Sequence, residues 1–290
     1  MLESARNNRD TSGPGSSPPG RAWLMLALAT VGFAVNFWAW ALLSPLGPRF
    51  KDSLDLTSFE QSLLVAVPVV AALMLRDAPG RTVPAEPLAR RLTATLRLGI
   101  TWQASALYAV AFGGYVAFSV YLPTYLRTGY GLAQADAANR MAGFVLLTVA
   151  MRPVGGWLSD RMGPVRVLGW SLAVVMAGAV VQSFTPSLVP LGTLACLAMA
   201  GALGAGSGAV FALVALLAPA SKVGSVTGIV GAAGGLGGFV PPLVMGSLYG
   251  AYGSYAIGLA LLALVAAAAL AFTGTGVRHA VSRRVPAQQH

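Results

Sequence analysis

The chain has 290 residues, 56% hydrophobic and only 10% charged, with a formal net charge of +10 and a mean hydropathy of +0.70. Soluble domains carry about 25% charged residues, so this composition excludes a solvated globular surface and predicts an all-α integral membrane protein. The basic residues fall between apolar runs, not in one aromatic-laced patch, which argues against nucleic acid; with one cysteine, Cys196, and both histidines, His279 and His290, in the C-terminal tail, neither an intrachain disulfide nor a His-ligated metal centre in the membrane is possible.

Residues 1–21 are polar and rich in Gly, Pro, Ser and Asn, predicting a disordered tail and not a secretory signal. The apolar run after Arg21, to about Leu46, reads as a retained spanning helix. A second run at 58–75 is weaker. Thr57 and Glu60 set a capping box before it, Pro68 removes a donor inside it, and its length is barely enough to cross. A linker at 76–102, with five arginines and Pro79, Pro84 and Pro87, separates this two-span piece, 22–75, from a six-span block, 103–274. The six runs lie near 103–126, 139–159, 165–185, 190–218, 223–248 and 254–274, and a tail occupies 275–290. About eight transmembrane helices result.

Charge placement predicts orientation. With the N-terminus inside, only Arg49, Lys51, Arg127 and Arg140 fall outside; Arg152 lies in the membrane and every other Lys and Arg falls inside. A multi-pass protein of the cytoplasmic membrane with both termini cytoplasmic is expected. Arg152 is the anomaly. It interrupts the apolar stretch 141–158, where a cation near the helix centre costs about 2.5–3.5 kcal/mol on insertion scales. Such a charge marks a functional site by default, and its natural guest is a small anion; the bland alternative is snorkelling to the surface.

The six-span block carries recognisable sequence. Gly155-Gly-Trp-Leu-Ser-Asp-Arg-Met-Gly-Pro-Val-Arg166 resembles the loop signature of the major facilitator superfamily, with Gly156, Asp160, Arg161, Gly163 and Arg166 on the pattern. Physically, its glycines suit close helix packing while Asp160 and the arginines suit capping and bridging of helix ends. Residues 24–70 resemble the first helix and the start of the second in nitrate/nitrite porters, and 204–211 resemble their tenth helix. The run 228–242, Gly-Ile-Val-Gly-Ala-Ala-Gly-Gly-Leu-Gly-Gly-Phe-Val-Pro-Pro, looks like the glycine-rich signature of their eleventh. Without a family, that run reads as a helix–helix interface; it is a poor nucleotide loop, lacking a preceding strand and a Gly-Lys-Ser/Thr end.

The resemblance implies a partial substrate site. Arg152 matches the porters' anion-binding arginine of the eighth helix, and a planar guanidinium suits a flat trigonal oxyanion. Tyr108 and Phe112, four residues apart and so on one helix face, match the tyrosine and phenylalanine that bind and flank the anion. Gly231, Gly234, Gly235, Gly237 and Gly238 would pack helices and bring backbone near the anion path. No cofactor is implied.

The departures are large. These porters have twelve helices in two halves, with the site between them. Here residues up to about Val70 resemble the second helix, whereas 71–79 resemble the end of the sixth, so most of helices 2–6 is missing while the six-helix C-terminal half of a major-facilitator fold is complete. The partner arginine of the second helix and the asparagine-bearing signature of the fifth have no match. The expected function is nitrate or nitrite transport, impaired or not by the deletion, with a homo-oligomer as one source of the missing wall. Other readings stay open: a non-transporting remnant or accessory subunit of a full-length porter, or a transporter of another small anion. An enzyme is disfavoured, because the spans hold no carboxylate pair and no Cys/His couple. They also hold no acid for proton coupling, which favours uniport or anion exchange.

Overall fold

A computed structural model describes residues 87–284. The tail 1–21, the apolar runs at 22–46 and 58–75, and the linker as far as residue 86 lie outside the described residues. Within them the chain is helical, beginning with a short helix α1, Leu88–Leu96. Six helices then run long and apolar enough to cross a membrane.

Each turn between spans has a local cause. Helix α2, Gly99–Tyr130, is closed by Gly131 in the left-handed region at φ 69°, whose N–H reaches back to the carbonyls of Arg127 and Leu126. Glycine adopts that conformation at no steric cost. Helix α3, Gln134–Met162, has Asp136 in its first turn, where a carboxylate favours the helix dipole; Arg140 pairs with it one turn on at 3.6 Å. Gly163 at φ 87° then breaks the chain, and Pro164 opens α4, Pro164–Ser183, at a position where its missing N–H costs nothing. An irregular turn, Leu188–Gly192, leads into α5, Thr193–Leu217. Helix α6, Val223–Tyr252, carries Pro241 and Pro242 inside and ends at Gly253, φ 64°. Helix α7, Ala256–Phe272, continues through a widened turn, Thr273–Val277, into α8, Arg278–Arg284.

Each of the six expected runs of the C-terminal block corresponds to a helix, and α2, α3 and α6 run past their expected ends. Helical segments also fall inside the regions expected as linker and tail. The linker expected over 76–102 contains α1 and the first turn of α2. The tail expected from 275 is helical as far as Arg284, because Gly274 and Gly276 are absorbed in the widened turn.

The spans are apolar on every side, so a hydrophobic stripe cannot choose their contacts. Small residues do, as is usual in lipid. Helix α3 crosses α5 where Gly204 and Gly208 of α5 lie on the carbonyls of Thr148 and Arg152, and Gly155 of α3 lies on the Ala205 backbone. A Cβ at any of the three would overlap main chain. Helix α6 leans along α2, with Gly237 against Ala109 and Gly113. Helix α4 packs between α5 and α7.

At the end of the bundle away from Gly163, one buried side chain ties the spans together. Gln182, 1% exposed, donates through Nε2 to the Gly192 carbonyl at 2.7 Å and to Cys196 Sγ at 2.8 Å, and its Oε1 accepts from the Tyr125 hydroxyl at 3.2 Å. Tyr125 also meets Tyr130, which donates to the Pro186 carbonyl at 2.9 Å. Three helices and the irregular turn share this network. Breaking it strands buried polar groups at about 1–3 kcal/mol each. Gln182→Leu is therefore expected to lower the melting temperature in detergent by several degrees; an unchanged melting curve would contradict the latch.

Candidate functional site

Helices α2 and α3 are antiparallel neighbours, so the start of α2 and the end of α3 lie at one level. Tyr108 stands nine residues into α2 and Arg152 ten residues before the end of α3. At about 1.5 Å per residue, both lie roughly 14–15 Å from that end, well inside their spans. There Arg152 Nη2 donates to the Tyr108 hydroxyl. Its guanidinium carbon lies 5.0 Å from the Phe112 ring centroid and 5.9 Å from that of Tyr108. The side chain thus turns inward onto α2 instead of snorkelling, and it is half-buried.

The aromatic wall is ordered. Tyr108 and Phe112 stack with centroids 5.0 Å apart and planes 3° from parallel, as residues one turn apart on one face allow. Phe211 of α5 meets Tyr108 edge-on at 4.8 Å. The phenol oxygen accepts from Arg152, which leaves the phenol O–H as a donor, and the guanidinium has further N–H groups in a planar fork. Two donor groups and an apolar flank therefore meet inside the bundle.

The glycine-rich run of α6 divides into two faces. Gly234 lies against the rings of Tyr108 and Phe112, Gly237 against Ala109 and Gly238 against Val116. At Gly231 and Gly235 a Cβ would meet nothing within 4 Å. The structure therefore brings Gly234 to Tyr108 and Phe112, gives Gly237 and Gly238 a packing position, and leaves Gly231 and Gly235 open. A methyl group at Gly234 has to displace the Tyr108 ring, with Phe112 Cδ1 only 2.9 Å away. Gly234→Ala is accordingly expected to weaken anion binding by about tenfold, the order of one misplaced hydrogen bond, while Gly231→Ala and Gly235→Ala fold normally. Titration of the three variants checks this contrast.

The loop motif departs from its expected geometry. Gly163 and Pro164 make the turn, but α4 has no side-chain cap. Asp160 and Arg166 are exposed, and Arg161 lays its guanidinium over the ring of Trp157 on its own helix at 4.1 Å. The close-packing glycine of the motif is Gly155; at Gly156 a Cβ would find open space. Among the described residues, no group of three or more His, Cys, Asp or Glu gathers to hold a metal. A cavity of about 390 Å³ lies between α2, α6 and α7, lined by groups such as Val110, Phe118, Val240 and Leu262. It has apolar walls and does not include Arg152, so it offers an anion nothing.

Sequence reasoning missed Phe211 and Gly208 as parts of this site. Both lay in the tenth-helix segment, and the Gly204-x-x-x-Gly208 spacing was the available signal for a close crossing.

Solved structures share the fold of this helical bundle. The chain is similar to a bacterial homologue of the human lysosomal transporter Spinster, captured inward-facing and occupied. The TM-score is 0.56 at 20% identity, covering 92% of this chain and 71% of that one. It is also similar to the E. coli fucose:proton symporter, with TM-score 0.53 and 21% identity over 77% of this chain and 60% of that one. Residues 104–289 match the Major Facilitator Superfamily, and the chain belongs to that family.

Among curated relatives, the probable nitrate/nitrite transporter NarK2 of Mycobacterium tuberculosis is 49% identical over 89% of this chain and 65% of its own length. The nitrite extrusion protein of Bacillus subtilis is 38% identical over 39% of this chain and 29% of its own length. The chain thus spans about two thirds of NarK2. It is a multi-pass membrane protein with the nitrate/nitrite porters as its relatives.

Proposed function

We propose that the chain moves nitrate or nitrite across the cytoplasmic membrane, with both termini inside, and that Arg152, Tyr108 and Phe112 bind the anion. The observation that carries this is the Arg152–Tyr108 pair inside the apolar spans, in a chain whose relatives are named for nitrate and nitrite. The guanidinium offers two parallel N–H donors to two oxygens of a planar anion, the phenol offers a third donor, and Phe112 excludes water from one face. Gly234 lets α6 approach closely enough to hold the two rings in place. One arginine and one monovalent anion sum to zero charge, which lowers the cost of crossing the hydrocarbon core.

Alternating access needs a second bundle to rock against the first. A second copy of the chain supplies it in this reading.

Proteoliposomes holding the chain alone test the proposal. Labelled nitrate and nitrite are expected to enter saturably and faster than into empty vesicles, with an excess of either anion competing for uptake of the other. Uptake no faster than in empty vesicles would sink it and leave the chain as a remnant or a subunit of a longer porter.

A further inference from the structure

Four hydroxyls buried in these helices close on their own backbone. Thr148 donates to the Phe144 carbonyl at 2.9 Å, Ser159 to Gly155 at 2.7 Å, Ser207 to Leu203 at 2.8 Å and Thr273 to Ala269 at 2.7 Å, each one turn back. Ser105 of α2 does not. It is 8% exposed, and its Oγ has no hydrogen-bond partner among the described residues. An unpaired buried hydroxyl is costly and asks for an explanation.

Its position supplies one. Ser105, Tyr108 and Phe112 fall at i, i+3 and i+7, one stripe of α2, so Ser105 stands one turn from the Arg152–Tyr108 pair towards the Gly163 end of the bundle. One turn is about 4.5–5.4 Å along the axis, a span that an oxyanion bridges with different oxygens at its two ends. A glycine of α6 stands at that level. The contacts of Gly234 with Tyr108 and of Gly238 with Val116 show α2 and α6 climbing together, which sets Gly231 level with Ser105. Nothing lies within 4 Å of where a Gly231 side chain would begin.

We propose that Ser105 is a further anion-binding residue, its hydroxyl donating to an oxygen of the anion one turn beyond Arg152 and Tyr108. This rests on reading that pair as an anion site. A serine rotor carries one proton and adapts to either a bent or a trigonal oxyanion. It serves as the neutral donor for the oxygen that the guanidinium fork leaves over. A spherical halide has no such oxygen, so Ser105 contributes to choosing oxyanions over chloride.

The test is calorimetric titration of nitrate and chloride into the purified full chain in detergent, with melting curves recorded without added anion. Ser105→Ala is expected to weaken nitrate about five- to tenfold, the worth of one net hydrogen bond, with chloride unchanged. Its anion-free melting temperature should equal or exceed the wild type's, because an unpaired buried hydroxyl has gone. Ser105→Thr, which keeps the hydroxyl, should stay within about twofold on the same reasoning. Nitrate affinity unchanged in Ser105→Ala, while Arg152→Gln loses binding, overturns the role of Ser105 alone. Weakening accompanied by a lowered melting temperature in both Ser105 variants makes it a packing residue and overturns the role as well. No saturable nitrate binding by the wild type defeats the anion site itself, and Ser105 with it.

Discussion

Arg152→Ala is expected to abolish saturable nitrate binding and, at the same time, to make the protein harder to melt. Hydrogen bonds to charged groups contribute about 1.5–3 kcal/mol each. Losing two from the guanidinium fork therefore weakens the anion by at least about 100-fold. The stability change has the opposite sign. A cation near the bilayer centre costs about 2.5–3.5 kcal/mol on insertion scales, and the Tyr108 hydroxyl with two aromatic faces offsets only part of that. Relief of the remainder should appear as a higher melting temperature in detergent and better membrane yield. Arg152→Lys keeps the charge but not the planar fork, so it should retain the stability cost and bind only weakly. A residue whose role is purely structural predicts the reverse, a destabilised alanine variant with normal affinity. Melting curves and nitrate titrations on the same samples separate the two.

That opposition of signs reflects what the sequence could and could not reveal. The six spans were legible because length and apolarity alone define a crossing, and Arg152 was legible because it breaks an apolar run. Helix ends were less so. Helix α2 runs past Leu126 to Tyr130 because Gly131 is the residue that takes a left-handed turn; in α8 no residue before Arg284 stops the helix. The short helix α1 went unseen inside an arginine- and proline-rich linker. Faces were illegible for a physical reason. A helix such as α5 is apolar all round, so periodicity cannot say which side meets α3. The glycines carry that information, but only as a choice between equals. Gly231 and Gly234 are indistinguishable in the sequence, yet one is open and the other lies on the ring of Tyr108. The same holds at the loop motif, where Gly155 makes the close contact and its neighbour Gly156 does not. The latch residue Gln182 gave no signal beyond being polar near the end of an apolar run.

The α3–α5 crossing supplies the second large effect. Gly208 carries no polar side chain and offers an anion nothing, yet a Cβ there would overlap the carbonyl of Arg152 and stand 2.9 Å from the Gly156 nitrogen. Both obstacles are main-chain atoms inside a helix, so neither can rotate aside, and α3 has to shift as a body. Gly208→Val is therefore expected to cost at least the roughly 1–3 kcal/mol of ordinary overpacking. It should also move the Arg152 backbone off the level of Tyr108. Misplacing the guanidinium by even about 1 Å loosens a bidentate contact that depends on aligned donors, so nitrate affinity should fall together with stability. Gly143→Val on α3 is the control, since a side chain there meets nothing within 4 Å. It introduces the same β-branched residue into the same apolar helix and should leave both measurements near wild type. If Gly208→Val melts and binds like Gly143→Val, the glycine crossing does not set the height of Arg152. The arginine's level then comes from its bond to Tyr108 alone, and Tyr108→Phe becomes the substitution that displaces it.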